Sequence, residues 1–295
     1  TKPVKIVVPF GPGGFTDVVA RILGVKLGES LGQAVVIENK PGAGSTIGSD
    51  MVAKSAADGH TLLIVSSTHV ISPWIYKNVP YDPIKGFTAV TKLVDSPYVL
   101  LTNPKVPAKN VQEFIALAKS QPDKIHFASS GNGSAQHLIG GLFASMTNTQ
   151  LKHVPYRSSN LAATDLVAGV VESSFAGVPN ALAQVPNGRL NALAVTGSKR
   201  IPQLPNVPTM QEAGVPGYDA TIWLAMLAPA GTPAHIVNRL NSEIAKIMNT
   251  PETKKSMFDA GVEVSLSTPE AMSQLMVSEL DKWGKVVKET GVRIE

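Results

Sequence analysis

Val7-Val8-Pro9-Phe10-Gly11-Pro12-Gly13-Gly14-Phe15-Thr16-Asp17 runs from apolar β-branched residues, through a turn of glycines and prolines, into a polar helix start. A strand that leaves a glycine-rich turn as a helix is the first half of a βα unit, so this stretch predicts an α/β fold. Lys5 to Pro9 reads as a buried strand. Thr16 to Leu31 reads as a helix with Val18, Val19, Ile22, Leu23 and Leu27 on its inner face. The turn between them presents backbone N–H groups at a helix N-terminus, where the partial positive charge favours an anion. It carries neither the Gly-Lys-Ser/Thr of a phosphate loop nor the spacing of a dinucleotide fingerprint, so a carboxylate fits it better than a phosphate. The same residues also suit a tight turn capped by Thr16 or Asp17 with no ligand.

The pattern repeats outward from there. Ala34 to Glu38 and Thr61 to Val65 read as strands, with a helix over about Ser45 to Ala56 between them, and Tyr98 to Asn103 as another strand. A second series begins with a helix over Val111 to Ser120. It continues as strand Ile125–Ala128, helix Ala135–Met146, strand Leu151–Val154, helix Asn160–Ala168, strand Glu172–Phe175, helix Asn180–Pro186 and strand Ala192–Thr196. The proline-rich Ile201 to Pro216 excludes a long helix or central strand. After it come a strand over Thr221 to Leu227 and a helix over Pro233 to Met248 with Pro233 in the first turn. Thr250-Pro251-Glu252 and Thr268-Pro269-Glu270 read as two further helix starts. Proline-marked changes near 103–107 and 217–221 predict two chain crossings. One lobe then comprises residues 1–102 and 222–295, the other residues 103–221.

Composition narrows the function. The chain has 295 residues, 43% hydrophobic and 16% charged, with a net charge of +4 and no adjacent basic residues beyond Lys199-Arg200 and Lys254-Lys255, which argues against nucleic acid. The absence of cysteine removes disulfides, thiolate metal sites and cysteine nucleophiles together. No apolar run approaches the ~20 residues of a membrane span. No His/Glu cluster has metal-ligand spacing, so neither a metal nor a cofactor is expected.

Two more stretches join the first as candidate sites. Ala128-Ser129-Ser130-Gly131-Asn132-Gly133-Ser134-Ala135-Gln136-His137 again leads from a strand through glycines to a helix, and Ser66-Ser67-Thr68-His69 closes the strand Thr61–Val65. Polar residues at strand C-termini line the ligand crevice of open α/β sheets. Capped helices and solvated loops remain the ligand-free alternatives at both. An enzymatic alternative is a hydrolase using Ser134 or Ser67 with His137 or His69, but no serine sits in a Gly-x-Ser-x-Gly elbow.

The Val7–Asp17 stretch, Glu38-Asn39-Lys40-Pro41-Gly42-Ala43-Gly44, Asp58-Gly59-His60-Thr61-Leu62-Leu63, Pro80-Tyr81-Asp82-Pro83, Gly131-Asn132-Gly133-Ser134 with His137, and His153-Val154-Pro155-Tyr156 together resemble the Bug-type solute receptors of tripartite tricarboxylate transporters. Leu204-Pro205-Asn206-Val207-Pro208-Thr209 and Ala228-Pro229-Ala230-Gly231-Thr232-Pro233 extend the likeness along essentially the whole chain. The resemblance implies a type II periplasmic-binding-protein fold, two α/β lobes joined by a two-strand hinge. It implies a non-catalytic periplasmic receptor, monomeric, whose signal peptide lies outside this chain and whose partners are a small carboxylate and membrane transporter subunits. On this reading Phe10, Gly14, Phe15, Thr16 and Asp17 in one lobe and Ser130, Asn132, Gly133, Ser134 and His137 in the other grip a carboxylate. Ser67, Thr68, His69, Tyr156, Ala176, Gly177 and Val178 frame the rest. In the family Phe175 is commonly followed by an aspartate able to face a ligand ammonium; Ala176 stands there, so a ligand without positive charge is implied. Phe15, where smaller residues are frequent, adds an aromatic wall and favours a dicarboxylate, a phthalate isomer ahead of adipate. Trp74 and Trp223 are expected in the core more than in the pocket.

Overall fold

A computed structural model describes residues 2–13 and 15–290. In chain order the elements are β1 (Val4–Val8), α1 (Phe15–Leu31), β2 (Val35–Asn39), α2 (Thr46–Ala53), β3 (Thr61–Ser66), α3 (Thr68–Ile75), β4 (Phe87–Ser96) and β5 (Tyr98–Thr102). Then come α4 (Val111–Ser120), β6 (Ile125–Ser129), α5 (Ala135–Thr147), β7 (Leu151–Pro155), α6 (Ser159–Ala168), β8 (Ser173–Gly177), α7 (Val178–Gln184) and β9 (Asn191–Val195). The chain ends with β10 (Ile222–Pro229), α8 (Ala234–Met248), α9 (Pro251–Asp259), β11 (Glu263–Val264) and α10 (Pro269–Thr290). Among the described residues the chain divides into two compact units, one of residues up to Asp95 with Trp223–Lys285, the other of Ser96–Ile222 with residues 286–290.

The first unit is built on a six-stranded sheet in the order β11-β4-β10-β3-β1-β2. β1 pairs in parallel with both β2 and β3, because a helix returns the chain between them. β10 runs antiparallel to β3 and is buried along its whole length, as a central strand must be. Val19, Ala20, Leu23 and Leu27 of α1 pack with Ile6, Val8, Leu62 and Ile64 and with Val237, Leu240 and Ile244 of α8 in one apolar core. Val18, expected on the inner face, is 37% exposed, and Ala20 and Gly24 occupy that face with Leu23. Gly24 admits close approach: a Cβ there would lie 2.9 Å from Ile37 Cδ1 on β2.

The second unit has its own five-stranded sheet, β7-β6-β8-β5-β9. β6 is parallel to β7 and β8, while β5 is antiparallel to β8 and β9. β5 therefore belongs with the middle of the chain, although the sequence reading assigned Tyr98–Thr102 to the first lobe. Tyr218, fully buried, donates its hydroxyl proton to the Ile139 carbonyl at 3.0 Å and ties the proline-rich segment to α5. Gly140 on the same helix lies against Phe127, where a Cβ would meet the ring at 2.3 Å.

Three elements escaped the sequence reading, among them the two-residue β11. β4 carries Lys92 and Asp95 inside an apolar run, and the two charges pair at 2.9 Å. α3 contains Pro73, a residue that argues against a helix interior, yet His69, Val70, Ile71, Ser72 and Ile75 are buried, and that packing holds one short turn pair in place. Pro233 precedes α8 as its cap residue and not as its first helical residue. Thr250 and Thr268 cap α9 and α10 as their sequences predict, accepting from the N–H groups of Thr253 and Ala271.

Candidate functional site

Parallel strands end at one sheet edge, and the loops that leave them cluster there. In the first unit these are residues 9–15 after β1, 40–45 after β2 and 66–68 after β3. In the second they are 130–134 after β6, 156–158 after β7 and the Gly177–Val178 step after β8.

The first glycine-rich loop is braced from below. Asp17 is 1% exposed, and its Oδ2 accepts the Gly13 N–H and Arg21 Nε–H, each at 2.8 Å. Its Oδ1 accepts from Asn39 Nδ2 at 2.9 Å, and Asn39 Nδ2 also reaches the Phe10 carbonyl at 3.1 Å. Burial pushes the Asp17 carboxyl up, but the hydrogen bonds from Arg21, Gly13 and Asn39 outweigh it and hold the group below its ordinary value. Asp17 thus serves as an anchor that shapes the loop, with Gly13 at φ 75° in the left-handed region. Phe10 and Phe15 are half-buried against the core of this unit, and Thr16 is buried. Gly14 lies outside the described residues.

Ser66–His69 splits in two. Ser66 Oγ and Thr68 Oγ1 share a hydrogen bond at 2.7 Å. Ser67 is fully buried and its hydroxyl has no partner. His69 turns into the core: it stacks on Tyr81 at 5.5 Å and meets Phe87 edge-on at 4.8 Å. Its Nε2 lies 3.0 Å from the Pro83 carbonyl and its Nδ1 3.4 Å from Ser49 Oγ, which makes Nε2 the protonated nitrogen of a neutral ring. Burial lowers its pKa to about 4, against the opposing pull of the Pro83 carbonyl.

The second glycine-rich loop spends most of its backbone N–H groups on itself. The N–H of Ser130 goes to Gln136 Oε1 (2.8 Å), of Gly131 to Ser129 Oγ (3.1 Å), of Gly133 to His137 Nδ1 (3.1 Å) and of Ser134 to the Gly131 carbonyl (3.2 Å). Ser134 Oγ caps α5 by accepting the His137 N–H at 3.3 Å. Among the described residues the donors left over include the N–H groups of Asn132, Ala135 and Gln136 and the Ser130 and Ser134 hydroxyl protons. The His137 ring stacks on His153 at 3.7 Å, and burial lowers both to about 4, with His137 adding to the effect at His153. Tyr156 leaves β7 beside this loop, its N–H on the Ser129 carbonyl at 2.9 Å. Its hydroxyl donates to Asp165 at 2.7 Å, and burial, then Asp165, raises its pKa to about 12. Ala176 and Val178 are buried and Gly177 is half-buried at the end of β8.

Among the described residues the serine–histidine pairs of the hydrolase alternative are not formed: Ser134 Oγ accepts the backbone N–H of His137, and the Ser67 hydroxyl has no partner. Among the described residues two other serine–histidine contacts occur, Ser129 with His153 at 2.5 Å and Ser49 with His69 at 3.4 Å, and both serines are fully buried. Among the described residues no group of three or more His, Cys, Asp or Glu could hold a metal ion, and no helix is long and apolar enough to cross a membrane. The bracing residues Asn39 and Arg21 were not among the sequence candidates, and Gln136 stood in the second candidate stretch without a role of its own. Asn39 did stand in a quoted motif, but its partners are 22 and 29 residues away.

Residues 19–292 match the family model described as the tripartite tricarboxylate transporter family receptor. Protein BugT of Bordetella pertussis is 37% identical over 296 residues, covering all of this chain and 91% of BugT. Among solved structures, the periplasmic binding protein BugD is 35% identical with a TM-score of 0.85, covering 99% of each chain. Rpa4515 of R. palustris, solved with adipate, is 34% identical with a TM-score of 0.89, covering 99% of this chain and 98% of the other.

Proposed function

Because this chain belongs to the tripartite tricarboxylate transporter receptor family, we propose that it binds a small dicarboxylate in the periplasm and passes it to the membrane subunits of such a transporter. The receptor works as a monomer. The observation that carries this reading is the make-up of the two glycine-rich loops: each opens a helix at the carboxyl end of a parallel strand, and neither contains a lysine or arginine. A carboxylate there is met by dipoles, which suits reversible capture. In the first unit Thr16 and the Phe10–Phe15 turn, and in the second the loop donors of Asn132, Ala135, Gln136, Ser130 and Ser134, are the groups offered to a carboxylate. Thr68, Tyr156 and Ala176–Val178 frame the remainder.

Ala176 carries no charge to face an ammonium group, so the ligand has none. Half-buried Phe15 offers an aromatic face, which favours a phthalate isomer over adipate, the ligand of Rpa4515. Calorimetric titration with the three phthalate isomers, adipate and glutamate tests this. Micromolar or tighter binding of a di-acid, recovered unchanged by mass spectrometry, with none for glutamate, is the expected result. Tight glutamate binding overturns the ligand class, and turnover of the bound acid overturns the receptor.

A further inference from the structure

The chain has three tryptophans, and their indole N–H groups are not equivalent. Trp74 Nε1 donates to the Leu280 carbonyl at 2.9 Å, and Trp283 Nε1 donates to Glu279 Oε2 at 2.9 Å. Trp223 Nε1 is buried in a residue only 3% exposed and has no partner among the described residues. Its neighbour repeats the anomaly. The β3–β10 register pairs Ser66 with Leu224, and one step further Ser67 stands opposite Trp223, with the Ser67 N–H on the Trp223 carbonyl at 3.1 Å. Ser67 is fully buried, its hydroxyl does not cap α3, and its Oγ likewise has no partner among the described residues. Trp223 is the second residue of β10 and Ser67 the first residue past β3, so two polar atoms without a partner among the described residues sit where these adjoining strands meet within the first unit.

Their place is as informative as their pairing. β1 runs parallel to β3 with Val7 level with Leu63, and both strands end just beyond that pair, β1 at Val8 and β3 at Ser66. The Ser67–Trp223 pair therefore lies at the carboxyl edge of the sheet, next to the first glycine-rich loop. An indole N–H only donates and a serine hydroxyl donates or accepts, so what both lack is an acceptor. Buried polar atoms in folded proteins are nearly always satisfied, so an orphaned pair marks a place where something else supplies the partner. No lysine or arginine lies among Ser66–Thr68 or Thr221–Leu224, so the missing group is an acceptor read by neutral donors.

We propose that Trp223 Nε1 and Ser67 Oγ receive the second carboxylate of the ligand, making this pair the feature that selects di-acids over mono-acids. The proposal rests on the receptor reading above, in which the glycine-rich loops take the first carboxylate. Trp223 keeps its ring in the core, as expected of it, while its one polar atom serves the ligand.

The experiment compares matched acids, adipate with hexanoate and terephthalate with benzoate, on the unmodified protein, Trp223→Phe and Ser67→Ala. Each variant should weaken the di-acids roughly tenfold or more, the loss of a hydrogen bond to a charged group, and leave the mono-acids unchanged. Equal loss for both members of a pair, or none, overturns the assignment while the receptor reading stands. A protein that binds no di-acid overturns both. Amide and indole NMR supplies a second readout that does not depend on the variants' affinity. Of the three indole signals, the one missing in Trp223→Phe should move when adipate is added, while those of Trp74 and Trp283 stay. A stationary Trp223 signal in the presence of bound adipate means the pair holds water, and the assignment fails.

Discussion

Replacing His69 by glutamine should remove part of the acid sensitivity of folding. The ring is fully buried, neutral, and held near a pKa of about 4 by loss of hydration, whereas an exposed histidine in the unfolded chain titrates near 6.5. The folded value lies below the unfolded one, so as pH falls protons bind the unfolded chain first. The stability is complete above about 6.5 and is lost as pH falls from there toward about 4. At about 1.36 kcal/mol per pH unit the limiting loss is about 3.4 kcal/mol. The linkage relation puts the loss at about 0.2 kcal/mol at pH 7 and about 2 kcal/mol at pH 5. Glutamine retains an amide proton for the Pro83 carbonyl but does not titrate. It forfeits the ring contacts with Tyr81 and Phe87, a cost that is the same at both pH values. Urea unfolding at pH 7 and pH 5, at fixed ionic strength, should therefore show the unmodified protein losing about 1.8 kcal/mol more than His69→Gln across that interval. His137 and His153 titrate in both proteins and drop out of the difference. Equal losses in the two proteins would refute a buried, neutral His69.

Asn39→Ala withdraws the donors on Asp17 and the Phe10 carbonyl, so unfolding should be easier by about 1–3 kcal/mol and carboxylate affinity should fall with the slackened loop; urea titration and calorimetry check the two separately. Ser134→Ala removes the cap of α5, at about 1 kcal/mol of stability by thermal melting, and weakens di-acid binding about tenfold or more; unchanged affinity removes Ser134 from the site. Gly140→Ala drives a methyl into the Phe127 ring and should destabilise by about 1–3 kcal/mol, seen as a lower Tm, whereas an unchanged Tm would mean that the ring yields freely.

The alternation of strands and helices was legible because its signals are local. A glycine turn, a threonine followed by proline and glutamate, and an apolar face repeating at helical spacing act within a few residues, and β1, α1, α4, α5, α9 and α10 all begin within a residue or two of where those signals stand. The family likeness was legible for the same reason, being carried by short loop motifs in order along the chain. What the sequence could not decide is who meets whom. β5 lies in the second sheet because its edges match β8 and β9, partners about 75 to 95 residues later, and β4 holds its charges because Lys92 and Asp95 neutralise each other in the folded strand. His69 reads as a pocket residue from its position after β3, yet one helical step past Thr68 points it at Tyr81 and Phe87 and so into the core. The glycine-rich loops read as arrays of free N–H donors, but Asp17, Gln136 and His137 occupy several of them, leaving fewer and better-defined donors than the motifs suggest. Local conformational preference is written in neighbouring residues. Which polar groups are consumed and which stay open depends on pairings between distant strands, and only the tertiary structure decides those.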